Sequence, residues 1–138
     1  MKLFTKYMTR NDCYTAGRKI TPKGIMVHST AVPGVMAADW FSRWNKSYKA
    51  GEINRQVCVH AFVDDKEVWQ YLPWDHRGWH AGGAANNTHI GVMKYFEGFI
   101  GITEERNQSY GGASADWKTP VYFVPLPLYL KIRLKRRL

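Results

Sequence analysis

Residues 57–72, VCVHAFVDDKEVWQYL, constrain this chain more than any other stretch. From Val57 to Val63 nearly every residue is apolar and β-branched or aromatic; Asp64 and Asp65 follow as turn residues, and Lys66 to Leu72 resume an extended pattern. Two such arms joined by a short polar turn pair as an antiparallel hairpin. Period-two alternation places Cys58, His60 and Phe62 on one face of the first arm and Val57, Val59, Ala61 and Val63 on the other.

The hairpin has company on both sides. Gly24-Ile25-Met26-Val27-His28, after the turn residues Pro22-Lys23, reads as a buried strand ending in a histidine. After Pro33-Gly34, residues 35–49 set Ala37, Phe41, Trp44 and Tyr48 at the spacing of an amphipathic helix, with Gly51 as its stop. WDHRGWHAGGAANNTH, residues 74–89, is too rich in Gly, Asn and His for a regular element and reads as a loop. Ile90-Gly91-Val92 opens another strand. Beyond it, residues 93–120 lack sustained periodicity, and Pro125 and Pro127 interrupt VYFVPLPLYL, disfavouring both helix and central strand.

A chain of 138 residues, 45% hydrophobic, buries one sizeable core. No apolar run approaches the ~18 to 20 residues of a membrane span, and the first residues lack a signal peptide's apolar centre. The chain is therefore expected to be cytoplasmic when synthesised. Cys13 and Cys58 are too few for a disulfide framework and form no CxxC pair. Of the net charge of +9, more than half lies in residues 131–138, KIRLKRRL. A basic end of this kind is ordinarily solvated, so no specific nucleic-acid partner is expected.

Five histidines, four of them between residues 60 and 89, invite a metal or acid–base reading, although none shows HExxH spacing. Their order says more. Val27-His28-Ser29-Thr30, then VHAFVDD with His60, then Trp79-His80-Ala81-Gly82-Gly83, then NNTHIG over residues 86–91 together resemble the amidase-2 family of N-acetylmuramoyl-L-alanine amidases. That family includes phage and prophage endolysins and is related to peptidoglycan recognition proteins. The resemblance covers residues 1–92, about two thirds of the chain. It implies an α/β fold with a mixed central β-sheet and packed helices, residues 1–92 forming the front half of the domain and 93–138 a divergent C-terminal segment.

What the resemblance implies for function follows position by position. One Zn²⁺ per domain would activate water to cut the amide between the N-acetylmuramoyl lactyl group and L-alanine of peptidoglycan, with His28 as a zinc ligand. His60 falls on the groove floor or behind it, with a structural role as the alternative. His80 is expected to contact substrate or polarise the scissile carbonyl, and Trp79 and Asn87 to wall the groove. His76 and His89 match no catalytic position.

Zinc hydrolysis ordinarily needs three protein ligands, an open position for water and a carboxylate to move the proton. Where the family pattern places a glutamate after the Ile-Gly pair, this chain has Met93, and the catalytic base is left unassigned. Glu97 stands about 13 Å further along an extended chain. No histidine follows His89, and Glu104 and Asp116 are taken as acidic candidates for the remaining ligands. Three readings result: a zinc amidase, a wall-binding module without hydrolysis, and a prophage remnant produced by a change of reading frame after Val92. Translating the other two frames downstream of that codon tests the last; absence of a helix followed by a histidine-bearing strand removes it.

Overall fold

The computed structural model describes residues 1–30 and 32–95 in full and the backbone of residues 121–125. Glu97, Glu104, Asp116 and the basic end lie outside the described residues. Among those described, six strands make one mixed sheet: β1 (Lys2–Thr5), β2 (Gly24–Ser29), β3 (Ala61–Val63), β4 (Glu67–Gln70), β5 (His89–Lys94) and β6 (Val121–Pro125). Their spatial order is β1-β4-β3-β5-β2-β6.

The expected hairpin is β3 and β4, antiparallel, with Ala61 opposite Gln70 and Val63 opposite Val68. Its turn is closed by Asp64, whose Oδ1 accepts the backbone N–H groups of Lys66 (2.9 Å) and Glu67 (2.7 Å). Oδ2 accepts the Ala37 N–H at 2.9 Å, so the turn also anchors the segment above the sheet. Burial works against the Asp64 charge, but these three donors outweigh it and hold the carboxyl below its ordinary value. The first arm is shorter than expected. The His60 carbonyl accepts from both Tyr71 (2.8 Å) and Leu72 (3.2 Å), two residues facing one in the manner of a β-bulge, and the ladder breaks there. Upstream, Cys58 pairs instead with Trp79.

β5 lies between β3 and β2 and runs parallel to both, which requires long crossovers rather than tight turns. In its register Met26 adjoins Gly91, and His28 adjoins Met93, which in turn adjoins Phe62. Neighbours in such rows share a sheet face. β5 continues through Val92 to Lys94.

The helix expected over residues 35–49 is much shorter: a 3-10 turn at Ala37–Asp39 and then α2 (Trp40–Trp44). Ala37 and Trp44 are buried as the stripe implied, and Phe41 partly so, but Tyr48 is 48% exposed. The reason lies in α1 (Asp12–Ala16), an element without a clear periodic signal. The Asp12 carboxylate accepts the Ser47 hydroxyl (2.8 Å) and the backbone N–H groups of Tyr48 (2.8 Å) and Lys49 (3.1 Å). A side-chain acceptor thus holds the amides that a longer helix would use. Asn11, buried just before α1, caps it through Cys13 N–H and donates Nδ2 to the carbonyls of Trp44 (2.9 Å) and Val57 (3.0 Å).

VYFVPLPLYL contributes an edge strand, the position its prolines leave open. Residues 121–125 form β6, antiparallel to β2 at the edge of the sheet, and Pro125 is its last residue. A residue without a backbone N–H is tolerated at an edge or strand end.

Aromatic stacking organises the core over this sheet. Trp40 stacks on Phe62 (4.8 Å between centroids, 13°), and Trp44 meets Phe62 edge-on at 5.1 Å. Tyr71 is wholly buried and donates its hydroxyl to the Ala37 carbonyl at 2.7 Å.

Candidate functional site

Three imidazoles line up beside the aromatic core. His28 comes from β2, His60 from the residue before β3, and His80 from the loop between β4 and β5; the centroids of His28 and His80 are 5.2 Å apart, those of His60 and His80 6.1 Å. His80 lies over β5 because Gly91 has no side chain. A Cβ there would stand 2.5 Å from His80 Cγ. Gly78 is similarly required, since its Cβ would stand 2.9 Å from His80 Cδ2 and 3.2 Å from His60 Cε1. Asn86, wholly buried in the 3-10 turn Gly83–Asn87, fixes the backbone of this loop: its Oδ1 accepts the N–H groups of His80 (2.9 Å) and Ala81 (3.0 Å).

The hydrogen bonds assign each proton. His60 Nδ1 accepts the Gly91 N–H at 3.0 Å, so His60 is protonated at Nε2, which donates to the His76 carbonyl at 2.7 Å. Both nitrogens are occupied by backbone and the side chain is fully buried. These two bonds tie His60 between β5 and the loop that carries His76. His80 Nε2 faces the His89 carbonyl at 3.2 Å and must donate; its Nδ1 therefore accepts from His28 Nε2 at 3.0 Å. All three rings are neutral in this arrangement. Burial pushes His28 and His60 down to about 4, and burial with the proximity of His28 and His60 pushes His80 well below the usual histidine range.

Trp79 and Asn87 are brought together elsewhere, by Arg77, a residue the sequence did not single out. Arg77 Nε donates to Asn87 Oδ1 at 2.6 Å, and its guanidinium stands 4.9 Å over the Trp79 ring. Trp79 is 40% exposed. His76 pairs with Asp75 at 3.0 Å beside Lys19, and the His89 ring meets Thr88 Oγ1 at 2.8 Å, while the backbone carbonyls of the two accept from His60 and His80. Arg77 and Asn86 were missed because an arginine and an asparagine in a polar loop carry no periodic signal.

A family model described as N-acetylmuramoyl-L-alanine amidase matches residues 17–111. The chain belongs to this amidase family. It is 38% identical over 80 residues to N-acetylmuramoyl-L-alanine amidase XlyA of Bacillus subtilis, covering 55% of this chain and 25% of that protein. It is 36% identical over 73 residues to CwlH of the same organism, covering 52% of this chain and 27% of CwlH. The chain thus spans about a quarter of the length of these curated relatives. The solved catalytic domain of XlyA superposes with a TM-score of 0.54 at 29% identity, covering 69% of this chain and 61% of that one. This likeness agrees with the α/β fold expected from the sequence, a mixed sheet with packed helices. Among the described residues no helix is long and apolar enough to cross a membrane.

Whether this amidase-family chain can hold zinc is a question of donors. The facing nitrogens of His28 and His80 lie 3.0 Å apart, close to the roughly 3.3 Å that two donors span on a tetrahedral zinc with ~2.05 Å bonds. A third donor is wanted, and no group of three His, Cys, Asp or Glu that could hold a metal exists among the described residues. Met93, in register with His28, packs its thioether against the aromatic core and offers no proton acceptor. The described residues therefore do not complete a catalytic zinc site, and no chemical step can be derived through one.

Proposed function

We propose that this chain acts on peptidoglycan as an N-acetylmuramoyl-L-alanine amidase, hydrolysing the amide between the lactyl group of N-acetylmuramic acid and L-alanine, with zinc bound at His28. The observation that carries this reading is the position of His28: a dry imidazole on an inner strand, its Nε2 turned to a second imidazole nitrogen at 3.0 Å. Family membership and similarity to the catalytic domain of XlyA support it. In this reading His80 lies beside the scissile group, while Trp79 and Asn87 wall the groove through Arg77. On the same reading the protein acts on the cell wall once released to it.

A second reading has its own observation. Met93 occupies the place beside His28 where hydrolysis wants a carboxylate, which favours a protein that keeps the wall-binding groove and has lost turnover. Zinc analysis of the purified protein, paired with release of stem peptide from cell walls by wild type and His28→Ala, separates the two. Stoichiometric zinc and peptide release, both lost in His28→Ala, are the amidase outcome. Metal-free protein that is retained by insoluble peptidoglycan without releasing peptide selects the binding module. A protein that neither hydrolyses nor binds the wall removes both.

A further inference from the structure

Cys13 and Cys58 are the only cysteines of the chain, and both are free and buried. Far apart in sequence, they meet in the fold: with Leu72 they form a small buried cluster separate from the aromatic core, and Tyr14 packs against it. One thiol is carried by α1 and the other by the stretch that leads into β3. The hydrolytic chemistry uses neither.

The two thiols are not equivalent. Burial, reinforced by the Cys13 thiol beside it, pushes the Cys58 thiol well above its ordinary value, with the Trp79 backbone and Arg77 opposing. The Cys58 backbone is also fixed, donating to the Trp79 carbonyl at 3.1 Å and accepting the Trp79 N–H at 3.0 Å. Cys13, in contrast, stands in the wall of a cleft of about 260 Å³ that also includes Arg18, Lys49 and Arg77. The Asp12 carboxylate in that wall is already taken by Ser47 Oγ and the backbone N–H groups of Tyr48 and Lys49, so the cations are left to attract an anion from solvent. The volume equals roughly nine waters at ~30 Å³ each, room for the sulfur end of a small molecule beside Cys13.

We infer that Cys13 and Cys58 are a redox modification site: Cys13 attacks a low-molecular-weight anionic disulfide that enters the cleft, and Cys58 resolves the mixed disulfide into an intramolecular bridge. In the first step Cys13 gives up its proton and its sulfur bonds to one sulfur of the small disulfide, whose S–S bond breaks; the other half leaves and takes up a proton as a thiol. In the second, Cys58 gives up its proton and attacks the Cys13 sulfur, and the remaining half leaves as a second thiol. The protein is oxidised by two electrons and loses two protons, and the small disulfide is reduced to two thiols. The bridge ties α1 to the stretch before β3 and closes residues 13–58, α2 included, into one loop, which restricts the unfolded chain. In reducing surroundings the same exchange runs backward. This inference is independent of the amidase reading.

The test treats the folded full chain with excess glutathione disulfide at mildly alkaline pH, blocks remaining thiols with iodoacetamide, and reads the product by mass spectrometry and a non-reducing gel. The expected product is an unalkylated monomer lacking two hydrogens, with the peptides of Cys13 and Cys58 joined; dithiothreitol restores both thiols. Its melting temperature should exceed that of the reduced chain by at least about 5 °C. In Cys58→Ser the exchange should stop with glutathione on Cys13, and in Cys13→Ser the Cys58 thiol should stay free, with thermal melts confirming that both variants are folded. Lys49→Gln, an exposed position, should slow the reaction with glutathione disulfide at least about twofold more than that with neutral 2-hydroxyethyl disulfide. Two alkylated thiols, a covalent dimer or a lasting mixed disulfide in the wild type overturns the inference, and none of these readouts depends on a variant folding. So does a bridge that forms only after urea has unfolded the chain. Glutathione carried by Cys58 in Cys13→Ser overturns the order of attack, and equal slowing of the two reagents in Lys49→Gln overturns the part given to the cations.

Discussion

Phe62 and His60 stand two residues apart at the start of the hairpin, yet they lead into opposite environments. Around Phe62, contact is made mainly by area: Trp40 and Trp44 cover it and Met93 fills in from β5, with the Tyr71 hydroxyl bonded to the Ala37 carbonyl as the polar anchor. Around His60, contact is made by direction: each imidazole nitrogen has one partner, and the row from His60 through His80 to His28 admits a single arrangement of protons. The lesson is that the two neighbourhoods share one sheet but fail under different insults. The hydrocarbon region is sensitive to volume and indifferent to pH. The imidazole row is sensitive to both.

The largest effect is expected from emptying the hydrocarbon side. Phe62→Ala removes the ring on which both tryptophans rest and should cost about 3–5 kcal/mol, read as a lower urea midpoint that is the same shift at pH 7 and pH 5. Acid should act on the other side. His60 has a folded-state value of about 4 against an ordinary 6.5, so between those values the unfolded chain holds the extra proton. Stability is therefore full above about pH 6.5 and falls as pH drops toward 4, by about 3 kcal/mol for His60 alone. Urea midpoints across this window measure it, and a flat profile would show that the imidazole row is open to water.

A smaller, more local effect is expected at Gly91. Its Cβ collides with the His80 ring, so Gly91→Ala should destabilise by about 1–3 kcal/mol while leaving the aromatic stack intact. Nitrogen-15 spectra of the imidazoles would report it as loss of the His28–His80 hydrogen bond, and an unchanged pair would contradict the close approach described. The least effect on stability belongs to Asn87→Ala. The residue is exposed, so the change should stay within about 0.5 kcal/mol in a thermal melt, while freeing the Arg77 guanidinium from its fixed orientation.

Much of the framework is legible from local chemistry. The hairpin, the strand that carries His28 and the strand opening at Ile90 follow from apolar runs bounded by turn residues, because pairing of β-branched and aromatic residues is a property of short stretches. The helix over residues 35–49 misled for an equally physical reason: Ala37, Phe41, Trp44 and Tyr48 have helical spacing, but Asp12, more than twenty residues earlier, supplies the acceptor that ends the helix after Trp44. Periodicity cannot see a competitor so distant. The prolines near residue 125 exclude a central strand, and the structure has an edge strand there.

What the sequence determined by itself, then, is the sheet's main segments, the amidase family and His28 as the residue to place first, since all three are written in contiguous residue types and in their order. Only the tertiary structure decided what each histidine does. The same imidazole can be a strut, a proton acceptor or a ligand, and the choice depends on which carbonyls and amides the folded chain sets against its two nitrogens. For His60 both partners are backbone groups; for His28 the partner of Nε2 is another imidazole, which is why that pair, and not the strut, is where function is proposed.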